Sequence, residues 1–202
     1  MAWDDLARMA ESENSRDRER WIGVYIGVLA VLLAICAMGG GNAAKDAAKA
    51  NLDAANTWAF FQAKNMRRQL LRVEIDDLDM LLLSQPEMPG AAKQAIAAKI
   101  AEYKRNDEIL TKDPEREPGK REGLDQLWDK GKALEAARDE AMRRDPYFDY
   151  GEACLQIAIV LASVAIISSG SWLLMASGLF GIAGAFLTLN GFTLAFALPF
   201  FG

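Results

Sequence analysis

The sequence predicts an all-α integral membrane protein with three transmembrane helices and an extramembrane antiparallel helical stalk. Two uncharged stretches support this prediction, residues 21–44 and residues 153–202. All 23 basic and 28 acidic side chains lie in residues 1–20 and 45–152. A water-soluble domain needs charged groups over its whole surface, so stretches this long without charge indicate contact with lipid.

The composition excludes several classes of function. The chain has no histidine and only two cysteines, which excludes histidine-based catalysis and argues against the usual Cys/His zinc site. A net charge of −5 argues against a nucleic-acid partner. The sequence contains no phosphate-binding loop, nucleophile elbow or HExxH motif. We therefore expect no catalytic residue, no cofactor and no bound metal, in a protein that is not an enzyme.

The first transmembrane helix is predicted over residues 21–41. Its apolar part, Trp21–Met38, has 18 residues, about the minimum that spans hydrocarbon. A cleaved signal peptide is the alternative, since Gly39–Ala44 offers small residues for cleavage, but the apolar run is longer than a signal peptide needs. Cys36 fits this span as an apolar residue, as Cys154 fits a later one, and a disulfide between them is the minority interpretation.

The helical stalk is predicted over residues 42–147, with its helices packed as in a coiled coil. Its helices are predicted over about residues 43–83, 91–111 and 120–144, with proline-containing breaks between them and before Pro146. The first would be roughly 60 Å long, and the other two, roughly 32 and 38 Å, together match it. Because transmembrane helices flank both ends, the chain must return to the membrane, so the stalk is antiparallel. Gly39–Gly41 either hinge the stalk or lie within one continuous helix.

The uncharged end of the chain is too long for one span and predicts two, residues 148–167 and 172–197, with a turn at Ser168–Ser171. Asn190 is expected to form a hydrogen bond with a neighbouring helix. No ionisable residue lies at depth in the spans, which argues against a charge-driven transporter but not against a passive pore. The polar side chains available to such a pore are Gln156, Thr188, Asn190 and Thr193.

Small residues recur at helical spacing in every span, where they let helix backbones approach closely. The candidate helix-packing residues are Gly23, Gly27, Ala30 and Ala34 in the first span, Ala158, Ala162 and Ala165 in the second, and Gly181 and Ala185 in the third. One interpretation is that these residues pack the three helices of one chain together. The other is that one set, with Gly23 and Gly27 foremost, packs against another subunit.

The charged segment at residues 1–20 contains Trp3, Leu6 and Met9 at helical spacing, which predicts a short amphipathic helix on the membrane surface. Basic residues are almost evenly divided between the two sides of the first span, so their count does not fix the orientation. The first span usually dominates, and long loops cross the membrane largely regardless of charge. We therefore expect a cytoplasmic N-terminus and a stalk outside the cytoplasm.

The block Trp58–Arg67 has the pattern W-x-x-[FY]-Q-A-K-x-x-[RK]. A span, a helix with this block, a charged helical segment and two closing spans together resemble a family of bacterial inner-membrane proteins of unknown function, over about residues 16–198. The resemblance implies the bacterial inner membrane and supports a periplasmic stalk, but it implies no activity. Members often carry basic residues between the last two spans, whereas Ser168–Ser171 is uncharged.

The side chains of this block fall on two helix faces. Trp58, Phe61 and Gln62 share one face, and Lys64 and Arg67 lie on another. One interpretation is that the aromatic rings pack inside the stalk while the cations pair with its acids. The other is that these residues form a contact surface for another protein, with the aromatic rings and arginine as anchors.

The leading hypothesis is a non-enzymatic integral inner-membrane protein that acts through protein–protein contacts, as a homo-oligomeric scaffold or as an accessory subunit of a larger membrane complex. The alternative is a passive channel or transport component formed by oligomerisation of the spans. A membrane-bound enzyme is a third class, but no convergent site for it emerges from the sequence. The expected partners are membrane lipid and further copies of the chain or a larger membrane protein complex, without nucleic acid.

Overall fold

The computed structural model describes the backbone of residues 2–168 and 171–197 and the side chains of residues 16–168 and 171–197. It is 91% helical, with four α-helices and no strand in these ranges. The helices are α1 (Ala2–Ser84), α2 (Gly90–Lys112), α3 (Leu124–Ser168) and α4 (Ser171–Thr193), and a short 3-10 helix covers Pro118–Lys120. The side chains of Trp3, Leu6 and Met9 and the turn residues Ser169 and Gly170 lie outside the described part.

The helices α1, α3 and α4 each contain a stretch long and apolar enough to cross a membrane. This finding confirms an all-α chain with three candidate spans. Contacts divide the chain into two compact units: a terminal unit, Met1–Ala47 with Asp139–Gly202, and a middle unit, Ala48–Arg138. The candidate spans lie in the terminal unit.

The triple glycine lies within α1, which continues through it without a break. A Cβ atom at Gly39 would lie 2.5 Å from the ring of Phe148, and one at Gly40 would lie 3.1 Å from the same side chain. These glycines therefore allow an aromatic ring to approach the helix backbone. Of the two alternatives that the sequence leaves open, the structure has the continuous helix.

The prediction that the third stalk helix stops before Asp145 is wrong, because Pro146 lies inside α3. Proline removes one backbone hydrogen bond and crowds the preceding turn, at a cost of about 3 kcal/mol in a helix interior. The two residues that follow, Tyr147 and Phe148, are buried. Burial of these two large rings offsets the cost of proline, so tertiary packing overrides the local preference.

The core cluster of the terminal unit joins α1 and α3. Leu29, Cys36 and Ala43, seven residues apart on α1, cluster with Phe148, Leu155 and Ala158 of α3. The thiol of Cys36 donates a hydrogen bond to the carbonyl oxygen of Phe148 at 3.3 Å. Cys36 and Cys154 are free thiols. An interval of seven is typical of helices that pack along their whole length.

In the middle unit, α1 runs antiparallel to α2 and α3. Trp58 of α1 bonds with Glu135 of α3, whereas Arg72, further along α1, bonds with Asp107 of α2. Between them, the ammonium group of Lys64 donates to the carbonyl oxygen of Glu122. The partner's number falls as the number along α1 rises, so one long helix segment pairs with two shorter ones.

Candidate functional site

Three aromatic rings form a cluster in the middle unit. Trp58 meets Phe61 edge-on at a centroid distance of 5.6 Å, and it meets Trp128 of α3 edge-on at 5.2 Å. Edge-to-face packing at such distances contributes about 0.5–1.5 kcal/mol per pair beyond the burial of area. A Cβ atom at Gly131 would lie 2.8 Å from the Trp58 ring. Glycine at that position therefore makes room for the indole against α3.

The indole of Trp58 has a charged acceptor. Its N–H donates to Oε1 of Glu135 at 3.0 Å, while the ammonium group of Lys132 lies 2.9 Å from Oε2 of the same carboxylate. The Lys132 nitrogen also lies 5.8 Å from the centre of the Trp58 ring and 5.6 Å from that of Trp128. The hydrogen bond from Lys132, together with that from Trp58, lowers the pKa of Glu135 below its ordinary value of 4.5. The arrangement holds the indole ring of Trp58 against α3 within the middle unit.

The five residues predicted to bind a partner differ in their exposure. Trp58 and Phe61 are half-buried in the aromatic cluster, and Lys64 is half-buried beside the Phe60 ring, 5.0 Å from its centre. Gln62 and Arg67 are exposed. The block thus places two polar side chains at the surface and the other three in contacts within the middle unit.

The sequence predicts a break between helices at the loop before α3 but no functional residue in it. Asp113 is buried in a left-handed conformation, with a φ of 48°. It accepts the backbone N–H of Glu122 at 3.0 Å, and the guanidinium of Arg116 lies 3.5 Å from it. Asp tolerates this conformation better than most residues, and the D-P pair is a turn signal in the sequence.

A polar pocket of about 580 Å³ lies beside this loop in the middle unit. Its lining includes the cations Arg116, Lys120, Arg121 and Lys130 with the ring of Phe60. Arg116 is 2.7 Å from the carboxylate of Glu122, so part of its charge is already neutralised. Within residues 16–168 and 171–197, no three acidic or thiol side chains are grouped so as to hold a metal ion.

Small residues of α3 and α4 pack inside the terminal unit. Ala158, Ala162 and Ala165 are buried, and so is Gly181, where a Cβ atom would lie 3.0 Å from the Tyr25 hydroxyl. Nearby, the hydroxyl of Ser177 donates to the carbonyl oxygen of Ala158 at 2.7 Å. Ala185 is half-buried. The predicted small residues of these two helices therefore permit close approach within one chain.

The small residues of α1 lie on a different surface. Gly23, Gly27, Ala30 and Ala34 are all exposed. A Cβ atom at Gly23 or Gly27 would meet nothing within 4 Å among the described residues. The buried side of α1 is formed instead by Ile22, Leu29 and Cys36. The structure thus brings together the small residues of α3 and α4 but leaves those of α1 at the surface.

The prediction that Asn190 bonds with a neighbouring helix is wrong. Its amide nitrogen donates to the carbonyl oxygen of Phe196 at 2.8 Å, and its amide oxygen accepts the N–H of Phe196 at 2.9 Å. Leu194, between them, has a φ of 48°. The chain therefore turns back on itself after α4, which ends at Thr193, four residues before the predicted end of the third span. A side chain near a helix end can satisfy local backbone groups, and here it does so.

Comparison with known proteins gives a family without an assigned activity. No curated protein and no solved structure matches the chain. A family described as a domain of unknown function matches residues 18–194, which agrees with the extent of the resemblance carried by the Trp58–Arg67 block. The chain belongs to this family, the domain of unknown function DUF4337.

Proposed function

We propose that this chain is a non-enzymatic integral protein of the bacterial inner membrane that acts through protein–protein contacts. The helices α1, α3 and α4 would each cross the membrane, and the middle unit would form an antiparallel helical stalk. In this proposal the chain works as a homo-oligomeric scaffold or as an accessory subunit of a larger membrane complex. The N-terminus lies in the cytoplasm and the stalk in the periplasm.

The outer surface of the terminal unit supports the membrane proposal. Trp21, Ile167, Leu179 and Ile182 are each more than two-thirds exposed. Soluble monomers rarely expose large contiguous apolar patches, because contact between apolar surface and water costs free energy. Lipid acyl chains cover such a surface without that cost. The rings of Trp21 and Trp172, at the starts of two apolar stretches, fit the membrane–water interface.

The observation that carries the proposal of subunit contact is the exposed Gly23–Gly27 surface. In a bilayer there is no hydrophobic driving force between helices, because the lipid is as apolar as the side chains. Helices therefore associate through close approach of their backbones, which small residues permit. The small residues of α3 and α4 pack inside the chain, whereas those of α1 are exposed, and a Cβ atom at Gly23 or Gly27 would meet nothing within 4 Å among the described residues. They remain available for a helix from another subunit.

The test is a substitution that blocks this surface. Gly27→Leu places a bulky side chain where the backbone of another subunit would approach, and we expect the detergent-extracted complex to become smaller. Gly178→Leu is the matched control, because a Cβ atom at Gly178 also meets nothing within 4 Å among the described residues. An unchanged size for Gly27→Leu would refute the subunit-contact role of the first span.

The alternative, a passive channel, finds little support in the polar groups of the spans. The hydroxyl of Thr188 donates to the carbonyl oxygen of Gly184 at 2.7 Å, and that of Thr193 donates to Leu189 at 3.0 Å. These hydroxyls bond within their own helix, so they offer few donors to a water-filled path. We therefore favour contacts between proteins over conduction.

A further inference from the structure

In the middle unit, α1 has apolar residues on two opposite faces. One face contains Ala50, Ala54 and Ile75, which are buried. On the other face, Leu52, Met66, Leu70, Val73 and Met80 are between 57% and 69% exposed. A helix at the surface of a water-soluble unit needs one apolar face, turned toward its core. A second apolar face in water indicates a binding surface.

The residues of this second face recur at an interval of seven. Leu52, Ala59, Met66, Val73 and Met80 follow one another at that spacing, and all five are exposed. An apolar interval of seven is the pattern of a coiled coil, in which a second helix runs alongside the first. The five positions cover about 42 Å of helix at 1.5 Å per residue. The geometry therefore fits a long helix better than a small ligand or a globular domain.

A shallow groove marks the middle of this face. It has a volume of about 490 Å³ and is lined by α1 residues alone: Gln62, Asn65, Met66, Gln69, Leu70 and Val73. Gln62 and Gln69 lie three positions after Ala59 and Met66, so each is at the second core position of its heptad. Side chains of a partner helix at the same spacing would fill the spaces between these residues.

We propose that this face of α1, residues 52–83, packs parallel and in register against the same face of a second copy of the chain. The inference rests on the proposed function, because two copies in one membrane have the same orientation and the same depth. It goes beyond that proposal in naming the second copy as the partner and the heptad face as the contact.

The polar side chains of the face favour an identical partner. An amide both donates and accepts hydrogen bonds, so Gln62 and Gln69 can each pair with the same residue of a second copy. Amides at core positions of a coiled coil also fix its register. Arg72 and Asp77 flank the face on opposite sides, five residues apart, which brings Arg72 of one copy beside Asp77 of the other. Arg72 uses only Nε and one terminal nitrogen on Asp107, which leaves further N–H donors.

One residue opposes the pairing. Asp76 is at a core position of the heptad, so two parallel copies would bring two carboxylates together. Like charges at short range are unfavourable, which weakens the coiled coil toward its end at Leu83. Replacement of Asp76 by Leu is therefore expected to strengthen the contact between copies near Met80.

The experiment is disulfide cross-linking of the full chain in native membranes. Leu52→Cys, Met66→Cys and Met80→Cys place thiols along the face, and the wild type gives the background from the two native cysteines. Arg67→Cys is the matched control, since Arg67 is exposed but lies to the side of the face. Mild oxidation is expected to give at least about fivefold more covalent dimer from each of the three face variants than from the control, because a disulfide needs Cα atoms within about 7 Å. Asp76→Leu should raise the yield at Met80→Cys further.

Each other outcome overturns the inference. If the Met66→Cys variant forms a covalent dimer while the Leu52→Cys and Met80→Cys variants do not, the two copies are antiparallel. No cross-linking at any of the three, with the wild type still extracted as an oligomer, would refute this interface and leave the proposed function intact. Extraction of a monomer without companions would refute the proposed function as well.

Discussion

Trp58 of α1 donates its indole N–H to Oε1 of Glu135 in α3 at 3.0 Å, across 77 positions of the sequence. The indole nitrogen can only donate, so a partly buried tryptophan needs an acceptor at that place. The carboxylate is itself held by Lys132 at 2.9 Å. The first residue of the W-x-x-F-Q-A-K block is therefore fixed against α3 within the middle unit.

Replacement of Trp58 by Ala is expected to lower the free energy of unfolding by about 2 kcal/mol, less than the loss for a fully buried tryptophan, because the ring is half-buried. The measurement is thermal unfolding in detergent, followed by circular dichroism. Arg67→Ala, from the exposed side of the same block, is the control and should change little. A Trp58→Ala protein as stable as the control, but unable to bind its partner, would instead assign Trp58 to an external contact surface.

The pH dependence of stability should include a contribution from Glu135. Its pKa is lower in the folded state than the ordinary value of 4.5, chiefly because Lys132 donates to the ionised carboxylate. A lowered pKa stabilises the fold above the unfolded value, and this stabilisation is lost as the pH falls through the folded value. As the pH is lowered below about 4.5, we expect the midpoint temperature of thermal unfolding to decrease. The decrease should be smaller in Glu135→Gln, which has no carboxylate to protonate. Equal acid sensitivity in both proteins would contradict this role.

Two glycines of α1 should respond in opposite ways to the same substitution. A Cβ atom at Gly39 would lie 2.5 Å from the Phe148 ring and 2.9 Å from that of Phe192, whereas one at Gly41 would meet nothing within 4 Å among the described residues. Gly39→Ala is expected to destabilise the protein by about 1–3 kcal/mol through overpacking. Gly41→Ala should be neutral or stabilising by up to about 1 kcal/mol, because alanine favours the helix. Equal melting temperatures would contradict the close packing of Phe148 on α1.

The proposed orientation is tested at residue 105. Arg105 is exposed, with its guanidinium 2.8 Å from the carboxylate of Glu115. A cysteine at this position should react with a membrane-impermeant thiol reagent in cells whose outer membrane alone is permeabilised. The wild type serves as the control for its two native thiols. Labelling of Arg105→Cys only after lysis would place the stalk in the cytoplasm.

The apolar stretches, the end of α1 and both ends of α2 could be predicted because their signals are local. The absence of charge marks the apolar stretches, and Pro86 and Pro114 follow closely on the ends of α1 at Ser84 and α2 at Lys112. Pro146 shows where this reasoning stops. Its effect depends on the burial of Tyr147 and Phe148, which a sequence pattern does not reveal.

The packing of the small residues could not be predicted for a related reason. Gly27 and Gly181 follow the same spacing rule in the sequence, yet Gly181 packs on Tyr25 and Leu29 while Gly27 is exposed. The difference depends on how each helix is rotated about its own axis. The large residues decide that rotation, since the neighbouring Ile22 and Leu29 turn α1 toward the core.

The proposed function requires stable contacts between this chain and other membrane proteins or further copies of itself. The most direct measurement is gentle detergent extraction from native membranes, followed by sizing and mass-spectrometric identification of every co-migrating protein. We expect either a homogeneous homo-oligomer or a defined complex with companion proteins. A detergent-embedded monomer that carries no companion at any stage of the separation would contradict the proposed function.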